Sequence, residues 1–140
     1  MKITLERIDD AFNMQAADEN GHLVKMDSSQ EQGGQGNGVR PMQMLVMGLG
    51  GCTAIDMVMI LKKQKQDVQD FRISIEGERE QGKEPSLWEK LHVVFELKGN
   101  VDEGKAIRAA DLSMQKYCSV AETLRRAGAE ITWEVKLNHK

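Results

Sequence analysis

The chain has little cysteine: two residues among 140. It also has no uninterrupted apolar stretch at its start. Met1-Lys2-Ile3-Thr4-Leu5-Glu6-Arg7 alternates and carries charge, which is unlike a signal peptide. A cytoplasmic location is therefore expected, where a stable structural disulfide is improbable. Cys52 and Cys118 are expected to be thiols at rest or partners in a transient bridge. Excess basic charge is missing too. The formal net charge is −3 and the Lys and Arg residues are scattered, so no nucleic-acid partner is expected. His22, His92 and His139 lack metal-ligand spacing with one another or with a cysteine, so neither a zinc site nor any other cofactor is predicted. The glycines between Asp27 and Gly38 lack phosphate-loop spacing, and no Gly-Lys-Ser/Thr follows them. That polar segment reads as a mobile loop.

What is present suits one domain spanning residues 1–140 with one substantial core. Met1 to Met26 reads as short strands, with turn signals at Asp9-Asp10 and Glu19-Asn20-Gly21. Pro41 suits the first turn of a helix. That helix is expected to run to about Gln66 and end in Lys62, Lys63 and Lys65, cations that suit the negative end of its dipole. Phe71–Glu78 and Leu91–Leu97 alternate as the arms of a long hairpin. A second helix is predicted over Val101–Tyr117, with Ile107, Ala110, Met114 and Tyr117 on one face. Ser119-Val120-Ala121-Glu122 then fits a capping box, with Ser119 as N-cap and Glu122 reaching back. Ile131–Leu137 closes the chain as a strand.

From Pro41 to Leu61 the only formal charge is Asp56. The length is close to a membrane span of about 20 residues. Gln43, Thr53, Asp56 and the glycines interrupt it, and a central Asp is costly in lipid. A helix apolar all round also suits the centre of a globular core or a tight dimer, so no membrane partner is expected. Met42, Met44, Met47, Met57 and Met59 read as core filler or as the lining of an apolar pocket.

The two cysteines sit in different surroundings. Cys52 lies in Gly50-Gly51-Cys52-Thr53-Ala54-Ile55-Asp56, inside the apolar run; Cys118 lies in Lys116-Tyr117-Cys118-Ser119-Val120-Ala121, between two helices. Each could be a small buried hydrophobe. Each could also be a redox thiol, because an attacking thiolate needs access and a nearby second thiol protects its sulfenic acid. The position of Cys118 before a helix N-terminus modestly favours its thiolate, whereas Cys52 lies too deep in its helix for that effect and needs a cation.

Three segments together resemble the OsmC/Ohr (osmotically inducible / organic hydroperoxide resistance) family, and in particular its YhfA-like branch. They are Arg40-Pro41-Met42-Gln43-Met44-Leu45, Leu49-Gly50-Gly51-Cys52-Thr53-Ala54-Ile55-Asp56, and Lys116-Tyr117-Cys118-Ser119-Val120-Ala121-Glu122-Thr123-Leu124. The resemblance implies a bacterial α/β (α+β) protein, an intertwined homodimer with antiparallel sheets around long central helices and active sites at the subunit interface. It implies cysteine-based peroxidase activity in the oxidative stress response. Cys52 would attack an organic hydroperoxide, Cys118 would resolve the sulfenic acid, and a dithiol reductant would restore both. Peroxidase members hold an arginine over the thiolate with a glutamate near the start of the central helix. That position is Met42 here, with Gln43 beside it. Asp56, one turn from Cys52, is the candidate replacement, with Arg40 or Arg7 as the cation; its other reading is a polar contact in the dimer core. Two further functions use the same residues. One is a non-catalytic dimer that binds a small apolar molecule at the interface, and the other is a redox sensor without turnover.

Overall fold

The computed structural model describes residues 1–138. They form two compact units, Met1–Val46 and the part from Met47 onward.

The first unit is a three-stranded antiparallel meander, β1 (Thr4–Arg7), β2 (Met14–Ala17) and β3 (Leu23–Met26), in that order. Both expected turns are present. Asp9 closes the first, accepting from the backbone N–H groups of Ala11 and Asn13 at 2.8 and 3.1 Å. Asp18 closes the second by accepting from the N–H groups of Asn20 and His22, and Gly21 adopts φ +84° there.

The segment after β3 is not a bare mobile loop. Asp27, only 2% exposed, sits at its centre. Its carboxylate accepts from the backbone N–H groups of Ser28, Gln35 and Asn37 at 2.7, 3.3 and 3.1 Å. These donors hold the Asp27 carboxyl below its ordinary pKa, the Asn37 N–H contributing most. Two glycines permit the close winding. A Cβ on Gly34 would lie 2.0 Å from the Ser28 carbonyl oxygen, and one on Gly38 would lie 2.7 Å from Lys25 backbone atoms. A loop that looks featureless by composition is thus organised by one buried anion.

In the second unit, α1 (Pro41–Lys63, whose first turns belong to the first unit) places Leu49, Thr53, Met57 and Leu61 in one buried stripe at spacing four. Met57 is core as expected, but Met47 and Met59 are each about half exposed. By length and composition α1 could cross a membrane, yet this stripe serves the protein core. The strands β4 (Asp67–Arg79) and β5 (Trp88–Asn100) form the expected hairpin. Glu80 pins the hairpin loop by accepting from Leu87 N–H and Lys83 Nζ. Leu91, Val93, Phe95 and Leu97 alternate inward along β5, as a half-buried strand requires.

The closing strand β6 (Glu130–Leu137) pairs with β5 in parallel, so this sheet is mixed, not wholly antiparallel. A parallel return needs a crossover, and the intervening helices supply it. The single helix expected over Val101–Tyr117 is in fact α2 (Glu103–Leu112), capped by Asp102, followed by a π-helical turn, Ser113–Tyr117. The extra residue in that turn shifts the helix phase only beyond Met114. Ala106, Ala109, Ala110, Ser113 and Met114 are buried, while Ile107 and Tyr117 turn outward. The helix α3 (Ser119–Arg126) follows.

Asp27→Ala should leave the β1–β3 meander folded and expose the amides of Ser28, Gln35 and Asn37 to faster hydrogen exchange. Because folding depresses the Asp27 pKa, its contribution to stability is present above the unfolded carboxylate pKa and lost as pH falls through the folded value. Thermal melts of wild type should therefore lose more on acidification than those of Asp27→Ala.

Candidate active site: a thiol pair beside a carboxylate

Cys52 lies at the middle of α1, and Asp56 follows one turn later on the same face. Cys118 arrives from the joint between the π-helical turn and α3. The fold brings the three together: the two sulfur atoms and a carboxylate oxygen of Asp56 all lie within 4.8 Å of one another.

A buried polar chain sets this meeting. Ser113 Oγ donates to Asp56 Oδ2 at 2.8 Å. With its one proton so used, Ser113 accepts from Thr53 Oγ1, 2.7 Å away. Thr53 and Ser113 are fully buried. The chain Thr53–Ser113–Asp56 therefore fixes α1 against the π-helical turn at the level of the thiols. The same turn places Cys118, whose backbone N–H donates to the Ser113 carbonyl at 2.8 Å.

Cys118, not Ser119, is the N-cap of α3. Its sulfur accepts from the Ala121 N–H at 3.4 Å. Glu122 does not reach back to complete a capping box; it pairs with Arg125 and Arg126 at 3.4 and 3.6 Å. The helix end does not make Cys118 acidic. Burial and the neighbouring Cys52 thiol push its pKa up to about 11 against the single favourable N–H groups of Ala121 and Val120. The dipole benefit expected from sequence is outweighed because Cys118 is only 3% exposed. Cys52, by contrast, is half-buried.

The two candidate arginines belong to the first unit. The Arg7 guanidinium donates to the carbonyl oxygens of Asp10 and Ala11, clasping the β1–β2 turn. Arg40 is exposed, and its backbone N–H donates to Gln43 Oε1 at 3.1 Å, so Gln43 serves the start of α1. His22 bonds Asp18 and His92 bonds Thr132, each through Nδ1; His139 lies outside the described residues.

Sequence reasoning missed Ser113. The available signal was a hydroxyl on a helix face otherwise lined by Ala106, Ala109, Ala110 and Met114, since a buried polar group requires a partner.

A helix-borne thiol faces a second thiol at a helix junction, and the fold that carries them is that of the OsmC-like proteins. The family model described as OsmC-like protein matches residues 34–134, and the chain belongs to that family. More particularly, it is 39% identical over 108 residues to Protein YhfA of Escherichia coli (strain K12), covering 76% of this chain and 77% of that protein. A crystal structure of a hypothetical protein from Aquifex aeolicus VF5 superposes with a TM-score of 0.80 at 29% identity, covering 99% of this chain and 97% of that one. An organic hydroperoxide resistance protein OsmC from Legionella pneumophila shares the fold at 15% identity, with a TM-score of 0.67 and 97% of both chains covered.

The unequal burial of the thiols gives a direct expectation. In the folded, reduced protein at neutral pH, iodoacetamide should modify Cys52 well before Cys118. In denaturant the two should react alike, as peptide mapping by mass spectrometry would show.

Proposed function

We propose that this protein is a cytoplasmic, thiol-dependent reductase of organic hydroperoxides, with Cys52 as attacking thiol and Cys118 as resolving thiol. The observation that carries the reading is the close pair of unequally buried thiols. Membership of the OsmC family supports it, as does the fold shared with a protein named for organic hydroperoxide resistance. The more accessible Cys52 meets the peroxide. Its thiolate attacks the terminal oxygen, the O–O bond breaks, and the alkoxide leaves as alcohol after taking a proton. The Cys52 sulfenic acid then lies beside Cys118. Attack by Cys118 forms the disulfide and releases water, which guards Cys52 against irreversible oxidation. A dithiol reductant supplies the two electrons and two protons that reopen the bridge.

Cys118 keeps its proton at rest, so its S–H can hydrogen-bond the Cys52 sulfur and offset some of the repulsion from Asp56. In this reading a cation completes the site. Asp56, oriented by Ser113, takes the place of the family glutamate absent at Met42, and Arg40 or Arg7 supplies the charge.

The active form in this proposal is an obligate homodimer. On α1 the face carrying Leu45, Ile55, Val58 and Met59 is open, with Ile55 63% exposed. In the first unit Leu5 and Leu23 are also open, 58% and 59% exposed. Apolar surface on this scale marks an interface.

With an organic hydroperoxide such as cumene hydroperoxide and a dithiol, the purified protein should consume peroxide catalytically. One equivalent of peroxide alone should remove two hydrogens by mass, and Cys118→Ser should stop at the sulfenic acid or go beyond it. Oxidation that leaves both thiols free would sink the reading and favour the apolar-ligand dimer. Asp56→Asn should slow Cys52 alkylation at pH 7 if Asp56 orients the cation, and Arg40→Ala or Arg7→Ala should slow it according to which one serves.

Sedimentation should give a single dimeric species at micromolar concentration, burying more than roughly 2,000 Å², as obligate interfaces do. A folded monomer under those conditions would remove the interface site.

A further inference from the structure

Three groups that can each carry negative charge converge at one point: Cys52, Asp56 and Cys118, with ligand atoms within 4.8 Å of one another. We propose that in the reduced protein they form a binding site for a thiophilic divalent cation, zinc above all, with two thiolates and one carboxylate as donors and a fourth position left open. The site shares its residues with the proposed peroxide chemistry, but metal binding does not rest on peroxide turnover.

The donor types suit such an ion. Thiolates select zinc over the hard cations magnesium and calcium, and a carboxylate is an accepted third ligand. A Zn–S bond of about 2.3 Å puts tetrahedral donors about 3.8 Å apart. The observed spacing therefore needs only small side-chain rotations. Two donors come from one helix face at a spacing of four residues, Cys52 and Asp56. The third is held at the N-cap of α3.

The supporting hydrogen bonds are also those of a metal site. Ser113 Oγ donates to Asp56 Oδ2, orienting the carboxylate and leaving its other oxygen for a cation. The Ala121 N–H donates to Cys118 Sγ, stabilising sulfur as a ligand. Thr53 fixes Ser113 in turn. A divalent cation would also reverse the electrostatics of the cluster, turning mutual repulsion into shared attraction. The histidines do not contribute, being tied to Asp18 and Thr132 among the described residues. An S–S bond would remove two of the three donors, so the bridge and the metal exclude one another.

The test is anaerobic titration of the reduced, metal-free full-length protein with Co²⁺, followed by displacement with Zn²⁺. One Co²⁺ per chain should bind, with thiolate-to-cobalt charge-transfer bands in the near ultraviolet and intense tetrahedral d–d bands that Zn²⁺ abolishes. Cys52→Ser and Cys118→Ser should each lose about half of the charge-transfer intensity for want of one thiolate. Ser113→Ala, as a positioning variant, should keep the bands and lower affinity by about 10–100-fold. His22→Ala and His92→Ala should change nothing. Circular dichroism establishes that each variant is folded. Absence of thiolate charge transfer, charge-transfer bands undiminished by Cys52→Ser in a folded protein, or one ion per two chains would overturn the proposal. Because the readout is spectral, a protein that binds cobalt but consumes no peroxide fails only the peroxidase reading.

Discussion

The hydrogen-bonded chain from Thr53 through Ser113 to Asp56 is the contact on which the site depends. A hydroxyl buried without a partner costs about 1–3 kcal/mol. Two of these groups are fully buried, and each satisfies the other. Apolar packing alone would let α1 slide or rotate against the crossover helices with small losses. The polar chain admits one register, the one in which Cys52 and Asp56 face Cys118.

The π-helical turn has the complementary role. A regular helix from Glu103 to Tyr117 would carry its buried face on without a shift in phase. One additional residue before Cys118 changes that phase beyond the buried Ser113 and Met114, and ends the turn with Cys118 in extended conformation, φ −77° and ψ 102°. From there the sulfur both caps α3 and reaches the thiol on α1. The same placement buries it and raises its pKa, so the pair is chemically unequal despite identical side chains. Peroxide chemistry and metal binding would both draw on this arrangement, the first through the difference between the thiols and the second through their nearness to Asp56.

The apolar character of α1 follows from its two kinds of neighbour. One stripe, Leu49–Thr53–Met57–Leu61, serves the chain's own core. The remaining apolar residues leave a second surface open, which the proposed dimer covers. A helix with contacts on more than one side has no reason for a polar face, and Asp56 is admitted because Ser113 partners it.

Much of the secondary structure follows from the amino-acid order alone. Alternation along Phe71–Glu78 and Leu91–Leu97, Pro41 at a helix start, and the turn residues around Asp9 and Gly21 are local signals with local causes. The cysteine segments and their separation likewise carried the family. Tertiary structure decided the rest. Parallel pairing of β6 with β5, the outward facing of Ile107 and Tyr117 and the ordering of the Asp27 loop all involve groups brought together by folding. Above all, Ser113 and Asp56 are 57 positions apart in the chain. Residue types and periodicity encode which faces are apolar, but the partner of a buried hydroxyl is defined only when two faces meet.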